Sequence, residues 1–389
     1  MSPLEQLVRE AQATADPLAG CDTPELAEQE ASRILHICNA CRYCEGFCAV
    51  FPAMTRRLEF AAADVHYLAN LCHNCGACLH ACQYAPPHEF GVNVPRTMAR
   101  VRVQTYARAA WPRAFGALYA RNGIMVAWAL AGGISLFLVL ALALRGSLAT
   151  SSGEGDFYRV FSHGLMAGVF SAAFIWALVA MGIGVARFWR ELAPTAPSLP
   201  AVGDAAGAAA SLRYLGGGHG QGCNNADDRF SLARRRFHHA TFYGFTLCFL
   251  ATAVATFDDY ILHLPAPYAY TSLPPLLGIA GGLLMVVGGV GLLVLNVRRP
   301  ALHGDPAQRP MDRGFIVLLL LIATSGLALA AWRASAMMPT LLALHLGAVL
   351  SLFVTMPYGK FAHAPMRVAA LLAWSIERRL PLRLGLAED

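Results

Sequence analysis

The sequence predicts an all-α protein in two parts, a cysteine-rich helical head followed by six membrane-spanning helices. Three observations carry this. Only 14% of the 389 residues are charged and 56% are hydrophobic, whereas soluble domains carry about 25% charged residues. Eight of the eleven cysteines fall in two short runs near the N-terminus. After residue 120 the chain alternates between long uncharged apolar stretches and short arginine-bearing loops.

The N-terminal segment, "MSPLEQLVREAQATADPLAG", is polar and lacks an apolar core, so it does not read as a signal peptide. "TPELAEQEASRILHIC" reads as a helix, with Thr23 as N-cap and Pro24 at the first helical position. "RRLEFAAADVHYLANLC" reads as a second helix leading into the second cysteine run, and no stretch alternates well enough for a strand. Residues 96–113 interleave arginines with apolar and aromatic residues, a pattern that suits either an interfacial helix against lipid headgroups or an ordinary basic helix. The head is therefore residues 1–120 and the membrane part 121–389, with a cytoplasmic loop at 189–236.

Six stretches are long enough to span a bilayer, which takes about 20 residues: Ile124–Leu144, His163–Ala186, Phe237–Phe257, Leu273–Val297, Gly314–Trp332 and Pro339–Tyr358. Six crossings put both termini on one side. Of the 30 Lys and Arg residues, only Arg145, Arg159 and Arg333 fall in the loops of the opposite side. The positive-inside rule then places the head and both termini in the cytoplasm, at the inner membrane. It also accounts for the net charge of +6, so nucleic acid is not needed as a partner. Glycines in the fourth span, and Gly164 and Gly168 in the second, suit close helix packing. Between Pro194 and Asp228 the chain is rich in Ala, Pro and Gly and reads as a flexible loop. Its His219 and Cys223 are open to a functional reading, with a plain loop favoured.

The cysteine runs carry the chemistry. Cys38, Cys41, Cys44 and Cys48 repeat 34 residues later as Cys72, Cys75, Cys78 and Cys82. C-x2-C-x2-C-x3-C is a [4Fe–4S] ligand spacing, in which the fourth cysteine of each run serves the other cluster. Cys38, Cys41, Cys44 and Cys82 would hold one cluster, and Cys72, Cys75, Cys78 and Cys48 the other. Zinc sites use two C-x2-C pairs, and disulfides are rare in the cytosol. Neither run ends in Cys-Pro, and the long insert between them suits an α-helical ferredoxin-like head better than the compact β-containing type. Cys21, Cys223 and Cys248 read as structural.

An ionisable residue inside a span is a candidate functional group. His345 lies within the sixth span. His363 follows 18 residues later, on the same face of a continuous helix at a rise of roughly 27 Å. Haem b ligated by two histidines would need a partner at each depth. His163 could serve His345, and His239 or His238 could serve His363. Each of the five has an interfacial-anchor reading beside the haem one, and one haem or two remain open. Arg234, Arg235 and Arg236 could pair with haem propionates. His263 and His303 read as loop residues, and Asp258 and Asp259 as either a loop start or proton acceptors.

"CNACRYCEGFCAVFPAM", "YLANLCHNCGACLHACQYAPPHEFGVNVP", "RFSLARRRFHHATFYGFTLCF" and "MPYGKFAH" together resemble the tricarballylate-utilization protein B family, also called citrate-utilization protein B. The resemblance runs from about residue 30 to the end. It implies a membrane iron–sulfur and haem b electron-transfer protein, an oxidoreductase component. Such a protein reoxidises an FAD-dependent dehydrogenase that converts tricarballylate to cis-aconitate, and passes the electrons to the quinone pool. A related membrane region serves a precorrin oxygenase, which is an alternative partner. A tricarboxylate transporter is disfavoured by the lack of buried charge and inverted repeats, and a redox sensor by the lack of an output domain. No G-x-G-x-x-G unit is present, so the flavin site belongs to another chain.

Overall fold

The computed structural model describes residues 23–148, 155–217, 220–225, 227–264 and 266–381. Cys21 and His219 lie outside them. The head begins with α1 (Pro24–Cys41), where the Thr23 hydroxyl accepts from Leu26 N at 3.3 Å. This satisfies one of the orphan amides of the first turn. At the other end Arg42 turns into the left-handed region, and its N–H closes on Cys38 O at 2.8 Å. Then come α2 (Val50–Met54), α3 (Ala62–Leu71) and the short α4 (Ala77–His80). The expected second helix forms only from Ala62, because Arg56–Phe60 precede its start.

The arginine-rich segment forms α5 (Val94–Ala109), capped by Asn93, whose side chain accepts from Arg96 N at 3.1 Å. It packs against α1 and α3, with Met98, Val101, Arg102, Tyr106 and others buried. Of the two readings of that segment, the interfacial one does not describe it: α5 is a core helix of the head.

Six long apolar helices follow: α6 (Asn122–Arg145), α7 (His163–Leu192), α9 (Ala233–Tyr260), α10 (Leu273–Arg298), α11 (Arg309–Trp332) and α12 (Met338–Thr355). All six are long and apolar enough to cross a membrane, and much of their apolar surface, Trp128 and Val139 included, faces outward. The chain is an all-α membrane protein. Glycines let α9 and α10 touch backbone to backbone. A Cβ on Gly244 would lie 2.8 Å from Gly281 O, and one on Gly288 2.4 Å from the Thr241 hydroxyl. Gly164 and Gly168, by contrast, have nothing within 4 Å of where a Cβ would sit, so the packing role expected of them is not met.

Two expectations change here. Among the described residues the loop after α7 forms regular elements: α8 (Leu199–Ala210), with Ser198 capping Ala201 N at 3.3 Å, and a two-residue antiparallel ladder, β1 (Cys223–Asn224) with β2 (Phe230–Ser231). The sixth span is also not continuous with His363. After Thr355 the chain runs through two 3-10 turns around the extended Gly359, and α13 (His363–Glu377) starts afresh. Pro357 explains the break, since a proline offers no N–H and clashes with the preceding turn. His345 and His363 therefore do not lie on one helix face.

Helix α13 returns to the head. Its Met366, Ala370 and Trp374 join the same core as Leu35, Val50 and Leu68. Glu377 accepts from Tyr67 at 2.9 Å and pairs with Arg57 at 2.7 Å. The head is thus closed by the C-terminus and by the loop after α7, as well as by residues 23–120.

Candidate functional site: two cysteine quartets and a histidine pair

The turns that end α1 and begin α4 set the thiol positions. Asn74 and Gly76 both take positive φ, 56° and 85°, which curls the second run around its own cysteines. A Cβ on Gly76 would lie 2.8 Å from Asn224 O, so only glycine lets β1 approach here.

Cys38, Cys41, Cys44 and Cys82 line one cavity of about 290 Å³, together with Tyr43, Phe51 and Tyr84. Cys48, Cys72, Cys75 and Cys78 line a second, which leaves only about 10 Å³ open and is walled by Phe47, Phe51, His73 and Tyr214. Each quartet thus takes three thiols from one run and the fourth from the other, and Phe51 borders both. Among the described residues no three His, Cys, Asp or Glu groups converge tightly enough for a single metal ion. The first quartet surrounds an open space, whereas the second is nearly closed.

Burial, and then the neighbouring thiols, raise Cys38 and Cys44 to about 12. Burial raises Cys48 and Cys78 as well. Thiols raised in this way would be protonated at neutral pH in the metal-free protein, so metal binding to them would release protons. Cys223 in β1 was expected to be merely structural. It is fully buried, donates to Leu215 O at 3.4 Å and shares a hydrogen bond with Cys75, which raises Cys75 more than burial does. Cys248, on α9, lies against Gly278 O at 3.9 Å and fits the structural reading.

His73, between Cys72 and Cys75, is buried, with Nδ1 on Leu71 O at 2.8 Å. Burial, Arg367 and more weakly His238 hold its pKa far below the usual imidazole range. Sequence reasoning missed it, although a histidine inside a ligand run is itself a signal.

Of the two partners offered for His363, the structure brings His238 to it. His238 on α9 and His363 at the start of α13 stand with ring centroids 6.2 Å apart. That is about the separation of two imidazoles bound across one metal at roughly 2 Å each. The His363 Nδ1 lies 2.5 Å from Lys360 O, which leaves its Nε2 free, and the buried His238 Nδ1 has no partner. His239 instead lies tilted against Tyr243, ring centroids 5.7 Å apart, and its buried Nε2 also has no partner. His345 meets the Ser325 hydroxyl at 3.1 Å and faces Gly326, while His163 pairs with Asp259 at 3.2 Å between Tyr158 and Tyr260. The expected His163–His345 pair is not brought together: His163 lies against Asp259, Tyr158 and Tyr260, and His345 against Ser325 and Gly326. Asp259 is correspondingly an ion-pair residue.

His303 is not a free loop residue either. It is buried, with Nε2 2.6 Å from His80 Nε2, and His80 Nδ1 holds Asp228 at 2.6 Å. Arg234 and Arg235 also depart from expectation. Arg234 donates to Asn74 O at 2.5 Å and Arg235 to Ser211 O at 2.7 Å, so both tie down backbone carbonyls.

Comparison with known proteins supplies the family. The Citrate utilization protein B Fer4-like domain matches residues 31–108, and Citrate utilization protein B matches residues 119–383. The chain belongs to the citrate utilization protein B family. It is 54% identical to "Citrate utilization protein B" of Escherichia coli over 389 residues, the full length of both chains. No solved structure matches it. Within this family the Fer4-like head and its cysteines point to iron–sulfur electron transfer at a membrane.

Proposed function

We propose that this member of the citrate utilization protein B family reoxidises a cytoplasmic FAD-dependent dehydrogenase of the tricarballylate-to-cis-aconitate type and delivers the electrons to membrane quinone. The observation that carries this reading is the crosswise assembly of the two quartets about a shared Phe51, with the buried His73 lining the second. Cys38, Cys41, Cys44 and Cys82 would hold one [4Fe–4S] cluster and Cys48, Cys72, Cys75 and Cys78 the other. His238 and His363 would be the axial ligands of one haem b. When bound, these groups supply one-electron chemistry, which splits the electron pair of a reduced flavin into single steps.

The chain's own residues hold and insulate these groups. Phe47, Phe51 and Tyr214 exclude water from the second quartet. Lys360 O fixes the His363 tautomer by accepting its Nδ1–H, which turns Nε2 toward His238. The first quartet is the more open and is the natural point of electron entry. The arginine bias of the loops supports an inner-membrane protein with both termini and the head in the cytoplasm.

The test uses anaerobically purified protein, reduced by the flavoprotein with its substrate. The reading expects a b-type α-band to appear and then vanish when a short-chain quinone is added. Clusters without any haem band would remove the His238–His363 assignment. Failure of substrate-reduced flavoprotein to reduce either chromophore would remove the proposed partner.

A further inference from the structure

Four arginines from four separate elements converge on the backbone of the second cysteine run. Arg102 of α5 donates to Cys72 O at 2.9 Å. Arg367 of α13 donates to the same oxygen at 2.7 Å and to Asn70 O at 3.2 Å. Arg234 of α9 reaches Asn74 O at 2.5 Å, and Arg299, just past α10, reaches it at 2.9 Å. Among the described residues none of the four has a carboxylate in ion-pair range, since the nearby Asp312 is taken by Lys360 at 2.6 Å. Two other arginines of the head do have carboxylate partners, Arg57 with Asp64 and Glu377 and Arg108 with Glu28. The cost of gathering the four shows in Arg299, which burial and then the charge of Arg234 pull down to about 9.

Uncompensated, partly buried cations are costly unless an anion answers them. The four thiolates of the second quartet, with any cluster they hold, would be the anion that answers these arginines. Among the described residues the first run carries one arginine, Arg42, which is exposed and turns back to Asn39 O at 3.1 Å.

We propose that Arg102, Arg234, Arg299 and Arg367 make the second cluster the higher-potential member of the pair, so that the fold itself drives electrons inward. The proposal rests on the electron-transfer reading above. Adding an electron makes a cluster more negative, and nearby positive charge favours that state in proportion to proximity and low dielectric. The step is one electron leaving the reduced first cluster for the oxidised second, with no bond broken and no proton moved. The donors bind backbone carbonyls and leave the ligand thiols free, so their effect is through charge and through the placement of the run. They are positioning residues and not ligands.

The experiment is an EPR-monitored redox titration of the full-length protein, wild type against Arg367→Gln, Arg367→Lys and Arg102→Gln, with iron and sulfide counted in each. Two separate cluster couples are expected in the wild type. Arg367→Gln and Arg102→Gln should each lower the upper couple and leave the lower one in place. The shift should be at least tenfold in electron partition, about 59 mV for a one-electron couple. Arg367→Lys, which keeps the charge, should recover most of it. Equal couples in the wild type, or a shift of both together, would overturn the inference while leaving the electron-transfer reading intact. A shift confined to a haem couple would assign the arginines to haem propionates and would overturn it too. Absence of iron and sulfide from the wild type would overturn both readings at once.

Discussion

The two cysteine quartets share one spacing and live in different surroundings. Cys38, Cys41, Cys44 and Cys82 rim an open cavity of about 290 Å³ beside the exposed Tyr43. Cys48, Cys72, Cys75 and Cys78 close around about 10 Å³, beneath β1 and beside arginines of α5, α9 and α13. The difference teaches that the motif sets which thiols come together, whereas the rest of the chain decides how open each quartet is. The membrane part is not a passive anchor for the head, because it supplies one wall of the second site.

The sharpest way to break this comparison is to cross the ligands. Cys48→Ser removes the fourth thiol of the second quartet, so it should abolish the cluster held with Cys72, Cys75 and Cys78 and spare the other. Cys82→Ser should do the reverse. Iron content should fall by about half in each, and the EPR signal that survives should differ between the two. If each substitution instead removed the cluster of its own run, the crosswise arrangement would be wrong.

Histidine substitutions come next. His363→Ala and His238→Ala should each eliminate the b-type absorption, while His345→Ala and His163→Ala should leave it, since of these four only His238 and His363 stand ring to ring. Anaerobic spectra of the four variants decide this directly.

Gly76→Ala sharpens the comparison from the side of the wall. A side chain there must adopt φ near 85° and would sit 2.8 Å from Asn224 O. Left-handed strain alone costs about 1–2 kcal/mol, and the clash must also push β1 away. Alkylation of the metal-free protein should then accelerate at the second quartet and stay unchanged at the first, as mass spectrometry of labelled cysteines would show.

The smallest effect is on pH. His66 of α3 is buried, with Nδ1 on Thr105 at 2.8 Å and Nε2 on Glu28 at 2.9 Å, and its pKa is lowered by burial and by Arg108. The folded head therefore holds fewer protons than the unfolded chain below the ordinary imidazole pKa of about 6.5. Its stabilising contribution is present above that pH and is lost as pH falls through it. Denaturant melts between pH 7.5 and 5.5 should show wild type losing stability on acidification, and His66→Gln losing less.

Much of this was legible in the sequence for reasons tied to particular residues. The ligand spacing depends on local loops, so both quartets could be written down at once. Thr23 with Pro24 announced a helix start, and uncharged runs announced the six spans. What was not legible depends on contacts between distant segments. Arg102, Arg234, Arg299 and Arg367 come from four elements and share no pattern. His73 looked like filler between ligands. His163 and His345 looked free because their partners, Asp259 and Ser325, are far away in sequence. The break before His363 was available, since Pro357 and Gly359 mark it, and it was obscured by counting turns through a proline.

The central claim is that this chain holds two four-iron clusters close enough to exchange electrons. The most direct measurement is iron, sulfide and EPR on anaerobically purified, dithionite-reduced protein. The account predicts about eight iron atoms per chain and a spectrum broadened by interaction between two reduced clusters. About one metal atom per quartet, without sulfide, would contradict it and make the quartets single-ion sites.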